Sequence, residues 1–292
     1  MNLNYAIING LNAKVNLGYN LLQANEYSAE PSSSITPNIG NLPSANFANR
    51  AQSSWIIEPQ LEYFKATKFG TFNSLLGTTW QENNSDGLFV QAFNYSSDIL
   101  LRSVSGAGVV RTSNNFSQYR YSALFGRFTY NLKDRYIINA SGRRDGSSRF
   151  GPNKRFSNFG AIGVAWIFSN EKLFAKRLNF LSFGKVRASY GVTGNDQIGD
   201  YRYLDNWTIT SNTYQGIAIT NPNALYNPDF SWERNRKLEA ALELGFFNNK
   251  IMLSAAYYQN RGNNQLISYS LPIQTGFNNV LTNLNAELQN SG

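Results

Sequence analysis

Strict alternation of apolar and polar side chains, sustained over long runs, constrains this chain more than any other feature. In NAKVNLGYNL, Ala13, Val15, Leu17, Tyr19 and Leu21 alternate with Lys14, Asn16, Gly18 and Asn20. In RKLEAALELGF, Leu238, Ala240, Leu242, Leu244 and Phe246 alternate with Lys237, Glu239, Ala241, Glu243 and Gly245. GKVRASY and GAIGVAWIF repeat the pattern. A period of two places one set of side chains on each face of a β-strand. About eleven strands are predicted, near 3–8, 12–28, 54–64, 71–81, 118–131, 136–147, 155–168, 182–194, 232–246, 250–264 and 281–290. Several reach a dozen residues. Soluble strands average about five or six, and a tilted membrane-spanning strand needs roughly nine to eleven.

The connections carry a second pattern. Those at 9–10, 65–69, 132–135 and 247–249 are short, and those at 29–53, 82–117, 195–231 and 265–280 are long. Short and long alternate, with 169–181 in a short position and 148–154 in a long one. An up-and-down barrel in an outer membrane has this organisation, with short turns inside and long loops outside. Aromatic pairs bracket the short turns: Tyr130 and Tyr136, Phe64 and Phe69, Phe246 and Phe247. Such residues suit a lipid–water interface. Residues 205–219 could form a further strand, which parity places inside a long outer loop. A soluble β-sandwich or a solenoid also alternates. No repeat of 20–50 residues is evident, which argues against solenoids and propellers.

Composition narrows the chemistry. Charged residues are only 15%, aromatics are 14% and the net charge is +8. There is no His and no Cys, which removes Ser-His and Cys-His catalysis and all thiolate or imidazole metal sites. No run of 18 apolar residues exists, so no transmembrane helix is expected. The opening MNLNYAIING lacks a basic region followed by an apolar core, so it is expected to be domain interior rather than a signal peptide. Glu239 and Glu243, two positions apart on one strand face, could mimic a glycosidase pair. Alternation accounts for them without catalysis.

The densest charge lies in RRDGSSRFGPNKRF, Arg143 to Phe156. A phosphate cradle would need a strand, a Gly-rich loop and a helix, whereas a second strand follows here. A structural outer hairpin is expected, built on Arg144, Asp145, Gly146, Arg149, Phe150 and Gly151. Gly146 and Gly151 would supply backbone freedom and Pro152 would fix a turn. Asp145 would accept from Arg143, Arg149 or loop amides. The surplus cations could also bind phosphate groups of the outer leaflet.

Residues 118–292 resemble the SusC/RagA family of TonB-linked outer-membrane proteins of Bacteroidetes. The motifs are Phe125-Gly126-Arg127, Lys133-Asp134-Arg135-Tyr136, Arg144 through Gly151, Trp166, Glu171, VRASYGVTGNDQIGDY (186–201), NPDFSWE (227–233) and LPIQTGFNNVLTNLNAELQNSG. Ala165 and Asn285 depart from the pattern, standing where Gly is usual. Residues 1–117 match more loosely. The resemblance implies a barrel of about 22 strands, a plug domain and a TonB-contacting segment. About half of those strands would lie here. Residues 1–292 are then expected to be an all-β barrel segment, without the plug, TonB box, signal peptide and C-terminal strands. The resemblance further implies no enzyme activity and no cofactor, an outer-membrane location, and import of oligosaccharides or peptides powered by TonB. A SusD-like surface lipoprotein is the implied partner, and no nucleic acid is expected. Another TonB-dependent receptor, a porin-type channel or a surface glycan-binding adhesin are the alternatives.

Sugars are held by flat aromatic faces together with amides and carboxylates. The long connection after residue 194 combines both: Tyr201, Tyr203, Trp207 and Tyr214 with Asn195, Asp196, Asp205 and Asn206. The 82–117 connection adds Phe89, Phe93 and Tyr95. Trp207 is the first candidate because its aromatic surface is the largest. The alternative for all of them is packing within their own loops or against a lid.

Overall fold

The structure is a computed structural model describing residues 1–36, 42–171, 174 and 180–292. Eleven strands form one sheet and neighbours in sequence pair along most of it. In chain order these are β1 (Asn2–Ile8), β2 (Leu11–Glu30), β3 (Ser44–Thr67), β4 (Gly70–Tyr95), β5 (Ala107–Leu132), β6 (Tyr136–Ser147), β7 (Phe156–Trp166), β8 (Leu181–Asn195), β11 (Glu233–Phe246), β12 (Ile251–Asn263) and β15 (Leu288–Ser291). Two hairpins stand apart: β9 (Asn206–Tyr214) with β10 (Ile217–Ala224), and β13 (Gln265–Ser270) with β14 (Asn279–Leu284). The first occupies the segment expected to hold an extra strand inside an outer loop, so β8 pairs antiparallel with β11.

Two compact units can be recognised. One comprises residues 1–16, 57–80 and 121–292, the other 17–56 and 81–120. The second has its own small core of Ala45, Ala92, Tyr95 and Leu101. There the connections differ from the sequence expectation. β4 runs to Tyr95 and β5 starts at Ala107, so most of 82–117 is strand. β3 likewise starts at Ser44, well inside the expected loop. At 26 residues β5 is several times longer than the usual strand of about five or six. QENNSDG in β4 has no apolar alternation, so it carries no strand signal of its own. The expected strand 281–290 is divided between β14 and β15.

The short turns are as expected. Gly10 sits at φ +85, and a Cβ there would lie 2.3 Å from the Phe64 carbonyl oxygen, so the turn requires glycine. Phe247, Asn248 and Asn249 are consecutive left-handed residues, a conformation that Asn tolerates better than most. Phe180 stacks on Phe246 with ring centroids 6.2 Å apart. Phe64, Phe69, Tyr136 and Phe247 are exposed beside the short turns. Of the 169–181 connection, residues 172, 173 and 175–179 lie outside the described residues.

Register fixes the two faces. Leu238 opposes Tyr190, and Leu242 opposes Val186; all four are exposed. The intervening residues carry the charges. Glu239 opposes Ser189, and Glu243 opposes Lys185. The apolar series therefore forms one continuous outer face and the charged series the other, as the alternation predicts.

Candidate functional site

The motif blocks that lie far apart in sequence converge at the end of the sheet that carries the long connections. Phe150, Phe159, Phe230 and Trp232 form a buried aromatic cluster. The Phe150 ring lies 4.9 Å from Trp232 and 6.2 Å from Phe230, and Phe159 meets Trp232 edge-on at 5.5 Å. Aromatic pairs favour tilted and edge-on arrangements because ring edges are positive and faces negative. The indole Nε1 of Trp232 donates to the Arg155 carbonyl at 3.0 Å, satisfying its buried polar atom.

Charge in the hairpin is neutralised within the fold. Asp145 is buried, and both its oxygens accept from Arg143 Nε at 2.8 Å. Arg143 also donates to the Tyr121 hydroxyl. Of the donors expected for Asp145, Arg143 is thus the one seen, and Arg149 is engaged with a second segment. Its Nε donates to Asp200 Oδ1 and its Nη1 to the Asp196 carbonyl, each at 2.9 Å. It thus ties the hairpin to the 196–200 segment. Arg144 covers the Phe156 ring at 5.3 Å and donates to Asn158 at 3.3 Å.

The two hairpin glycines are closely packed and do not use left-handed backbone, which corrects the sequence expectation of conformational freedom. Neither has a φ in the left-handed region. A Cβ on Gly146 would come within 2.4 Å of the Phe156 ring, and one on Gly151 within 3.1 Å of the Pro228 carbonyl oxygen. Residues 151–154 do turn, with Lys154 N–H donating to the Gly151 carbonyl at 2.9 Å.

Three side chains not singled out individually from sequence, Asn283, Asn227 and Glu233, fasten the long connections. Asn283 donates to the Ser231 and Asn264 carbonyls at 2.7 and 3.0 Å and accepts from Ser231 N–H at 2.9 Å. Asn227 donates to the Leu281 carbonyl at 2.8 Å. Glu233 accepts from Asn195 at 2.8 Å and from Leu266 N–H at 3.0 Å. The signal in NPDFSWE was an Asx turn, since Asp229 N–H donates to Asn227 Oδ1 at 3.2 Å.

Lower on the sheet, Arg187 bridges Glu239 at 2.6 Å and Glu243 at 3.1 Å, and Lys185 approaches Glu243 at 3.4 Å. Both carboxylates of the possible glycosidase pair are thus engaged by cations. Among the described residues no group of His, Cys, Asp or Glu is arranged to hold a metal.

The candidate ligand residues do not form one patch. Trp207 is 59% exposed and its indole N–H donates to Asp205 at 3.1 Å. Tyr214 is 69% exposed but at the other end of β9, seven residues or roughly 20 Å away. Asp205 and Asn206 are exposed beside Trp207. Tyr203 packs on the buried aromatic cluster, and Tyr201 is half-buried in a left-handed conformation. Asn195 and Asp196 are held by the contacts described above. Tyr95 is core, its hydroxyl donating to the Ser103 carbonyl at 3.0 Å. Phe93 lies under Arg111 at 5.5 Å, and Phe89 is half-buried.

Comparison with known proteins fits this geometry. The family described as TonB dependent receptor-like, beta-barrel matches residues 1–292. TonB-dependent receptor P39 of Formosa agariphila is 34% identical over 213 residues, covering 72% of this chain and 19% of that protein. TonB-dependent receptor SusC of Bacteroides thetaiotaomicron is 32% identical over 177 residues, covering 58% of this chain and 17% of that protein. The structure of the RagAB peptide transporter superposes with a TM-score of 0.89 at 25% identity, covering 99% of this chain and 32% of that one. The chain spans a third or less of the length of these relatives. Its all-β fold is part of a large antiparallel receptor barrel, with short turns at one end of the strands and long connections at the other. The chain belongs to the TonB dependent receptor-like β-barrel family.

Proposed function

We propose that the protein carrying this barrel segment imports a bulky nutrient, an oligosaccharide or a peptide, across the outer membrane. TonB powers the import through the plug and TonB-contacting segment of the whole protein, and a SusD-like lipoprotein caps the barrel from outside. The observation that carries this reading is the superposition on the RagAB peptide transporter over nearly the whole chain, together with the outer motif cluster.

Each face of the sheet has a part in this. The exposed series Val186, Tyr190, Leu238 and Leu242 meets lipid, which holds no water to satisfy backbone groups, so strands must pair throughout. The Lys185–Glu243–Arg187–Glu239 ladder lines the lumen, where balanced charge keeps the wall wettable without a strong field of one sign. The aromatic cluster and Arg149 hold the outer connections in place, and the β9–β10 hairpin presents Trp207, Asp205 and Asn206 to ligand. Uptake of labelled oligosaccharides and peptides by a deletion strain carrying the full-length gene, with and without functional TonB, tests the proposal. TonB-dependent uptake of one class is expected. Uptake that persists without TonB would make the barrel a passive channel, and surface binding without uptake would make it an adhesin.

A further inference from the structure

The outer face of β11 and β12 changes character abruptly at one level. Ala240 opposes Tyr257 and Leu238 opposes Gln259; the next pair on the same face is Arg236 opposite Arg261. Register is regular through this stretch, so the arginines share the face of Leu238, Ala240 and Leu242 and lie about 7 Å beyond Leu238 along the strand. Both are exposed. Like charges directly opposite in an antiparallel pair repel. Glu287 relieves only Arg261, at 3.5 Å, in a contact about 44% exposed on both sides. No acidic side chain among the described residues lies within ion-pair range of Arg236. The same order recurs on β6, where Tyr136 and Ile138 are exposed below and Arg144 follows on their face with no carboxylate partner among the described residues.

We infer that Arg236 and Arg261, with Arg144 as a second station, bind the phosphate groups of an anionic glycolipid in the outer leaflet. The pair stands where an apolar, lipid-facing surface gives way to polar strand, which is the level of headgroups. A guanidinium presents a planar fork that matches phosphate oxygens, and two of them facing each other clamp one phosphate from both sides. A bound dianion removes the cross-strand repulsion that the bare pair carries. This rests on the outer-membrane orientation proposed above, and whole-cell labelling of the outer connections tests that orientation separately.

The test is native mass spectrometry of the full-length protein in detergent with diphosphoryl lipid A, and with the same lipid after enzymatic removal of its phosphates. Retention of the phosphorylated form alone is expected, weakened about tenfold or more in Arg236→Gln/Arg261→Gln. Equal retention of both lipids, or undiminished retention by the double variant, would overturn the inference. Inorganic phosphate at 10 mM serves as the third arm. If it displaces the lipid and raises the melting temperature only with both arginines present, the site takes a soluble anion and the lipid assignment falls. Should the double variant fail to assemble, a salt titration of the native protein decides. Retention must fall steeply as sodium chloride rises, and salt-independent retention would contradict the clamp.

Discussion

Single positions test the assignment of faces. Leu242 lies on the lipid-facing series, so Leu242→Arg is expected to cost about 2–4 kcal/mol if it sits near the bilayer midplane. Ser189 lies on the opposite face across from Glu239, and Ser189→Arg should cost little, because its charge meets a carboxylate and water. Ala241 would be a poor control. It is buried and directly opposite Arg187, so a large side chain there is crowded whatever its charge. Equal losses for Leu242→Arg and Ser189→Arg in refolding of the full-length protein would reject the register. A second residue-scale prediction concerns pH. The Ser32 hydroxyl and backbone N–H donate to Asp98 at 2.6 and 2.9 Å. These bonds, the hydroxyl's first, hold the Asp98 carboxyl below its ordinary value. A carboxyl lowered in the folded state stabilises above its unfolded pKa and loses that contribution as pH falls through the folded one. The link between residues 31–36 and 96–106 should therefore persist at neutral pH and loosen in acid. Limited proteolysis should cut these segments faster at low pH, and Asp98→Asn should cut fast at both. Cleavage of the native protein that is independent of pH would remove Asp98 as the tie.

Elements were legible in the sequence to the degree that lipid or a core demanded an apolar face. β6, β7, β8, β11 and β12 lie within a residue or two of their expected limits, because Ile138, Val164, Val186 and Leu242 must alternate with lumenal residues. The far parts of β3, β4 and β5 read as loops because polar runs such as QENNSDG interrupt the alternation, although LFVQAFNY beyond it carries Ala92 and Tyr95 into a small core. Of the hairpin β13–β14, β13 reads as loop because it is only six residues long and is followed by the turn-forming Pro272 and Gly276, whereas β14 overlaps the start of the strand expected at 281–290. The site was legible as motifs but not as a place. Nothing in the spacing of RDGSSRFG, NPDFSWE and the segment around Asn283 says that they meet. Trp232→Ala should cost about 3–5 kcal/mol through the cavity it leaves, with a further loss from the unpaired Arg155 carbonyl. Lowered heat stability and faster proteolysis within 196–232 are the expected readouts, and unchanged behaviour in both would contradict the clustered packing. The hairpin β9–β10 carries a separate expectation. Trp207→Ala should reduce uptake at limiting substrate with surface amount and lid association unchanged, since the indole is exposed and its N–H donates to Asp205 in its own segment. Normal uptake would exclude Trp207 from the ligand path. Tyr214→Ala, at the far end of the strand, should have a smaller effect on a short substrate.

At the scale of the whole molecule, the account depends on which end of the strands faces out. The short turns at residues 9–10, 68–69, 133–135 and 247–250 belong to one side, and the long connections with their hairpins, Arg149 tether and aromatic cluster belong to the other. The native sequence has no Cys, so a single cysteine placed in this segment has no background within it. The most direct measurement is labelling of intact cells with a membrane-impermeant maleimide, using full-length protein with a cysteine at Gln197 or at Asn248. The account predicts labelling at Gln197 and none at Asn248 until the outer membrane is permeabilised. Labelling at Asn248 on intact cells, with Gln197 protected, would invert the topology and contradict the proposed role of the outer connections.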